Sequence, residues 1–333
     1  MLERPPITSN ELATLWMTYQ QKTMFFRMLD HFIEKSNDEE AKNIMSDLQE
    51  EIAAFIQRVA GIMKEEGAAI PVGFTEQDVI ADAPALFANG FDIMFVRLMK
   101  SISMGLHTLH LSMSYREDII LLYRDLTTMT QEYSRKCTQY LLGKGLLIRA
   151  PFVTMPEKTE FVKDTNYLKG TNLLGSKRTI NTVELSQLYF TIEANMTGMQ
   201  MITGFAQCAQ EKEVRKYFSE GVELAKGIIS EFTDMLLEDG IQTPIGPGGQ
   251  ATRSTAAPFS DKLMMYCISL FCSFSIGKNA IGTAFSLRND IPAKAAIFTK
   301  DIFEYAHRGA KVMIQNGWME EPPQMEERRN LIK

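Results

Sequence analysis

The feature that most constrains this chain is an internal repeat. Residues 11–73 align with residues 184–246 without a gap, at an offset of 173. ELATLWMT faces ELSQLYFT, and the segment ends EEGAAIPVG and EDGIQTPIG match in turn residues as well as spacing. Later segments keep register at an offset of 172, where MGLHTLHLSMSYREDI (104–119) faces IGKNAIGTAFSLRNDI (276–291) and both share S-x-R-x-D-I. Glu132-Tyr133 then falls on Glu304-Tyr305, Gly145 on Gly317 and Pro151 on Pro323. Two unrelated helical stretches would not hold cap and turn residues in phase over four segments. The chain reads as a duplication, so both halves must fold the same way.

Each repeat reads as four long helices, and no stretch alternates apolar and polar residues long enough for a strand. Helix 1 (about 9–35 and 182–209) opens with a capping box, Thr8 with Glu11 and Asn181 with Glu184. Helix 2 (about 38–66 and 211–239) follows Ser36-Asn37-Asp38 in the first copy and stops at Gly67 or Gly240, residues suited to a left-handed C′ position. Helix 3 (about 84–113 and 258–285) is expected to begin near Pro84 or Pro258, where a missing amide costs nothing. Helix 4 (about 118–143 and 290–315) starts at Asp118 or Asp290.

Connection lengths constrain topology. Helices 1 and 2 are joined by a few residues, as are helices 3 and 4, so both pairs are antiparallel hairpins. Between helices 2 and 3 lie about 17 residues, able to reach roughly 55 Å when extended. A helix of about 28 residues is roughly 42 Å long. The loop can therefore run the length of the bundle and set helix 3 parallel to helix 2, as in ferritin-like folds. The fold class is all-α: two tandem four-helix bundles, ferritin-like, each with a long helix 2–helix 3 crossover. Residues 1–150 form the first bundle, 151–180 a connector and 181–333 the second bundle. The connector is expected to pack along the surface through Phe152, Phe161 and Tyr167, and the tail from Glu320 to be polar and loose.

Composition removes several function classes. The balance of 35 basic against 41 acidic residues, net −6, argues against a cationic face for nucleic acid or anionic membrane. Four cysteines, at 137, 208, 267 and 272, form no CxxC pair, which fits a reducing cytosol. The opening MLERPPITSNEL lacks an apolar signal core, which also points to the cytoplasm.

Specific residues then carry a family resemblance. They are Glu11-Leu12-x-x-Leu15-Trp16, the run Ile70-Pro71-Val72-Gly73-Phe74-Thr75-Glu76-Gln77-Asp78-Val79, Ala83-Pro84-x-Leu86-Phe87, and Arg116-x-Asp118. On these residues the chain resembles domain-of-unknown-function family 3231 of spore-forming bacilli, some of whose members are provisionally labelled spore coat proteins. The resemblance spans both repeats and is sharper in the first; Gly246-Pro247-Gly248-Gly249-Gln250 replaces GFTEQ in the second. It implies a ferritin-like fold, a link to sporulation and no assigned activity or catalytic residues.

A ferritin-like bundle invites a di-metal centre, which needs two Glu and two Glu-x-x-His aimed at the middle. The chain has no E-x-x-H, no carboxylate in helix 1 from Ala13 to Arg27, and none from Lys262 to Arg288. Stoichiometric iron is not expected. His107 and His110 share one helix face as H-x-x-H and are the candidate ligands of a mononuclear zinc or nickel site. The blander alternative places them on an inter-helix or subunit seam, and the second repeat has Asn279 and Gly282 instead. His31 and His307 read as surface or boundary residues. The 21 methionines, including Met94, Met99, Met104 and Met113, read as bundle gap-fillers, and Cys267 and Cys272 as buried thiols. The run 263–286 is apolar on nearly every side but broken by Lys278, which suits a surrounded helix better than a membrane span. No phosphate-binding loop or nucleophile elbow is present.

The function expected from these residues is a non-enzymatic structural or interaction protein, self-associating or bound to a protein partner, without a cofactor. The alternatives are a bundle holding a small apolar ligand and a mononuclear metal protein. Each helix 3 is too apolar for a lone bundle, so the two repeats are expected to pack face to face with approximate two-fold symmetry. In the first crossover Phe74 and Val79 should dock on the bundle wall and Asp82 should cap helix 3. The glycine-rich second crossover should be the more mobile, with Arg253 cut by protease before Glu76.

Overall fold

The computed structural model describes residues 5–88, 90–170, 177–244 and 250–332. The first bundle comprises α1 (Ser9–Lys35), α2 (Glu39–Glu65), α3 (Phe91–Ser112) and α4 (Glu117–Gly143). The second comprises α5 (Thr182–Cys208), α6 (Lys212–Glu238), α7 (Asp261–Phe285) and α8 (Asp290–Gln315), and a single turn, α9 (Arg328–Leu331), closes the chain. Both expected capping boxes form: Thr8 and Asn181 accept the amides of Glu11 and Glu184, whose carboxylates accept the cap amides in return. Gly67 and Gly240 take left-handed φ of 69° and 68° after α2 and α6.

Hydrogen bonds at the bundle ends fix helix directions. Ser36, which caps the end of α1, donates to Asp92 at the start of α3 (2.8 Å), so α3 begins where α2 begins and runs parallel to it. In the second repeat Asp261, at the start of α7, accepts the Gln210 and Glu211 amides of the α5–α6 turn. The helix 2–helix 3 loops are therefore long crossovers, as their length predicts.

The crossovers do more than span their own bundles: they pair with each other. Ile80 N–H donates to the Pro258 carbonyl (2.9 Å), and Ser260 N–H donates to the Asp78 carbonyl (2.9 Å). Eight residues along, Thr252 N–H donates to the Leu86 carbonyl (2.8 Å) and Ala88 N–H to the Gln250 carbonyl (3.1 Å). The two antiparallel bridges, Val79 with Phe259 and Phe87 with Ala251, exchange under the 172-residue offset, so a pseudo-two-fold axis passes between them. Around that axis α3 packs on α5, α1 on α7 and α3 on α7, as the apolar third helices require.

This pairing corrects three expectations. Helix α3 starts at Phe91 rather than Pro84, with left-handed Gly90 as its cap, because residues 86–88 are committed to the opposite crossover. Asp82 is exposed and caps nothing in α3. Phe74 docks on the other repeat, its ring 5.0 Å from Tyr266, and not on its own bundle wall alone. The second crossover is tied as firmly as the first from Gln250 onward, with Thr252 Oγ1 donating to the Ala85 carbonyl and Gln207 to the Thr252 and Ser254 carbonyls. The expected mobility of its glycine run falls on residues 245–249, which lie outside the described residues.

Two surface expectations also change. Phe152 and Phe161 stand 91% and 85% exposed, and of the three connector aromatics only Tyr167 docks, under Arg178 and hydrogen-bonded to Asn181. The tail is anchored at its start, where the Glu320 carboxylate accepts the Val72 and Gly73 amides (2.8 Å each). Gly73 is required there: its φ is +64°, and a Cβ would sit 2.5 Å from Thr23 Oγ1.

Candidate functional site

The foot of each bundle is closed by the same ionic clamp. In the first repeat Glu11 accepts the backbone amides of Tyr115 and Arg116 (2.9 and 2.8 Å), while the Arg116 guanidinium grips Asp118 with two bonds and Glu66 with a third. In the second, Glu184 accepts the Leu287 and Arg288 amides and two bonds from Arg178, and Arg288 binds Asp239 and Asp290. Burial pushes the Glu184 carboxyl up, but Arg178 and the amides outweigh it and hold the group at about 2. These clamps tie the start of helix 1 to the helix 3–helix 4 turn and the end of helix 2. Every carboxylate is committed to a cation or an amide, so the clamps hold structure together and offer no free acid or base.

The chemistry-bearing residues meet at the bundle centres, and the two centres differ. In the first, α1 contributes Thr18, Gln21 and Lys22, α3 contributes Lys100, Ser103, His107 and His110, and α4 contributes Tyr123 and Thr130; all are buried. Gln21 donates to Ser103 (3.3 Å), and Thr18 Oγ1 lies 3.3 Å from His110 Nδ1 and 3.1 Å from the Tyr123 hydroxyl. Thr130 Oγ1 lies 3.1 Å from His107 Nδ1. The Nζ atoms of Lys22 and Lys100 and the Nε2 atom of His107 are buried without a hydrogen-bond partner. Lys100 does lie over the Phe25 ring, 4.6 Å from its centroid. Burial, then the Lys100 charge, push Lys22 far below the usual ammonium range. Burial brings Lys100 to about 7 and His110 to about 4.

At the equivalent place the second repeat is hollow. A small cavity of about 80 Å³ is lined by residues of α5, α6, α7 and α8 together with Leu98 and Ile102 of α3. Matching positions explain it. Phe25, Leu48 and Ile52 of the first repeat become Gly198, Gly221 and Ala225, and Lys22 and Lys100 become Asn195 and Cys272. Part of the lost volume is refilled by Tyr305, which stacks on Tyr217 at 4.2 Å and stands where a Cβ on Gly221 would fall. The walls are mostly apolar, with Asn195 and Ser275 among the polar exceptions.

The sequence candidates fall out as follows. His107 and His110 do share a face, but each faces a threonine, and no group of three or more His, Cys, Asp or Glu suited to a metal occurs among the described residues. His31 is buried, edge-on to Phe259 of the other repeat, and not at the surface; His307 is exposed and stacks on Phe303. Cys137, Cys208, Cys267 and Cys272 are buried free thiols that burial holds in the protonated form. Helix α7 is long and apolar enough to cross a membrane by length and composition. It is not surrounded throughout, since Ile281 and Phe285 near its end are exposed. Lys22 and Lys100 are not among the candidates that sequence motifs single out. The available signal was a lysine within each apolar helical face that the aligned repeat replaces with Asn195 or Cys272.

Comparison with curated proteins finds no match. Among solved structures, a "putative spore coat protein" from Bacillus halodurans C-125 is 14% identical, aligns over 45% of this chain and 98% of its own length, and gives a TM-score of 0.43. A family model described as "Protein of unknown function (DUF3231)" matches residues 1–159 and again 168–331. With nearly the whole length covered by two successive matches, the chain belongs to the DUF3231 family as a tandem duplicate.

Proposed function

We propose that the protein is a non-enzymatic structural or interaction protein, built to associate with itself or another protein through its connector, with the developing spore the first compartment to examine. One observation carries this reading. Between the bundles, residues 151–163 hold Phe152, Val153, Met155, Phe161 and Val162 in solvent, each at least half exposed. Large apolar side chains clustered on one exposed segment mark an interface in soluble proteins. The test is sedimentation velocity of the wild-type chain and an F152S/F161S double variant over a range of concentrations. Association that grows with concentration in the wild type and is lost in the variant supports the reading. A wild-type monomer at every concentration that also captures no partner through this segment from sporulating cells counts against it.

The hollow second bundle favours a second reading, a site for a small apolar molecule. The cavity, about 80 Å³ and mostly apolar, suits an apolar molecule of a few atoms, and it lies where the duplicated copy has lost its filling side chains. Xenon, followed by its NMR shift, should bind the wild type and fail to bind G198F, which restores the aromatic that Phe25 supplies in the first repeat. Equal binding to both would place the xenon elsewhere.

A further inference from the structure

Three basic atoms without partners in one enclosed interior need a physical account, because a buried polar group ordinarily finds a hydrogen bond. Lys22 Nζ, Lys100 Nζ and His107 Nε2 are enclosed by packed helices. The titratable groups around them are Lys100, His107 and His110 of α3 and Tyr123 of α4, with Glu51 of α2 and Cys137 of α4 on the Lys100 side. No carboxylate stands beside Lys22 within its own helix or α3. A molecule that completes such a site must enter small and uncharged, and one that becomes an anion once inside also supplies a counter-charge for a protonated lysine.

We infer that Lys22 is a carbamate-forming lysine whose amine takes up carbon dioxide, with Lys100 holding the proton released. The Lys22 Nζ lone pair attacks the carbon of CO2, a C–N bond forms, and one C=O π pair moves onto oxygen. One N–H proton passes to the neutral Lys100 amine, so CO2 and two amines become a carbamate anion and an ammonium cation with no net change in charge. Carbon dioxide is small and apolar enough to cross a packed bundle where a preformed anion would have to be desolvated. The product exchanges two unpaired amines for a buried ion pair, within the interior that also holds the unpartnered His107 nitrogen. Burial supports the chemistry by disfavouring the ammonium form of Lys22. The second repeat, with Asn195 and Cys272 at the two lysine positions, has no such site.

The test uses the full chain equilibrated with carbon-13-labelled bicarbonate and then filtered rapidly into degassed buffer. Wild type should keep one carbamate carbonyl resonance that outlasts filtration, while carbamates on exposed amines are lost. K22M should lose the protected resonance, and K100M should weaken it. No protected resonance in the wild type, which would leave buried water as the partner of the amines, overturns the proposal, as does a resonance that survives in K22M. Should K22M fail to fold, alkylating the labelled wild type with a trialkyloxonium salt and mapping the esterified carbamate by mass spectrometry decides the matter. The adduct must fall on Lys22, and an adduct on another lysine or none at all refutes the assignment.

Discussion

At the residue scale, a lysine buried without a counter-charge weakens the fold at neutral pH, and Lys22 is in that position. Its amine in the unfolded chain titrates near 10.4, while in the fold burial and Lys100 push it far lower. Below about pH 10.4 the unfolded chain binds a proton that the folded chain refuses, so stability falls as pH falls from there. K22M should therefore be more stable than wild type at pH 7 in CO2-free buffer, with the gain shrinking toward pH 10.5. Urea midpoints at both values check this, and a K22M protein weaker at pH 7 contradicts it. Arg288 predicts the opposite sign. It is 0% exposed between Asp239 and Asp290, at 11% and 4%, so R288M leaves Asp239 with only the Ile180 amide and Asp290 with only the more distant Lys177, and should cost about 3–5 kcal/mol. R116M should cost less, because Glu66 and Asp118 are 19% and 32% exposed and can turn to water. Equal losses in urea unfolding would show that solvent access at the clamps is not what separates them.

At the element scale, the helices were legible because their signals are local. The capping boxes at Thr8 and Asn181, the left-handed Gly67 and Gly240 and the periodic apolar faces need only neighbours a few residues away. The start of α3 was not legible, although Pro84 is a sound helix-opening residue. Leu86 and Ala88 bond to Thr252 and Gln250, partners more than 160 residues distant, and that pairing holds the segment extended. The straps should be energetically central. Phe259 is 0% exposed and contacts His31, Phe32 and Phe205 across both repeats. F259A should cost about 3–5 kcal/mol by opening a cavity on the pseudo-two-fold axis. Thermal unfolding should remain one transition at a lower midpoint; an unchanged midpoint would remove the straps from the account.

For the whole molecule, the seam joins two bundles that each leave an apolar face uncovered. Helices α1, α3, α5 and α7 meet there, and Phe74, Phe87 and Phe259 cross it. Residues 1–159 expressed alone should aggregate or associate through that face, and mixing with residues 168–331 should restore a discrete species by light scattering. Monodisperse, monomeric halves would show that the seam is dispensable. The same symmetry exposes divergence: one centre is closed by Phe25, Leu48 and two lysines, whereas the other is opened by glycines. A duplicated scaffold kept its clamps and straps while its two interiors changed apart.

By itself the sequence determined the duplication, the all-α class, eight helix positions to within a few residues except at one start, and the crossover topology, because caps, periodicity and loop lengths act over short distances. It also contained every residue of the two centres, with His107 and His110 recognisable by spacing. Only the tertiary structure decided that His31 is buried, that the crossovers clasp each other, and that Lys22 shares one interior with Lys100 and His107 of a facing helix. Those outcomes depend on which faces of distant helices meet, and the energies that select them, burial and long-range pairing, belong to contacts that a linear pattern does not encode.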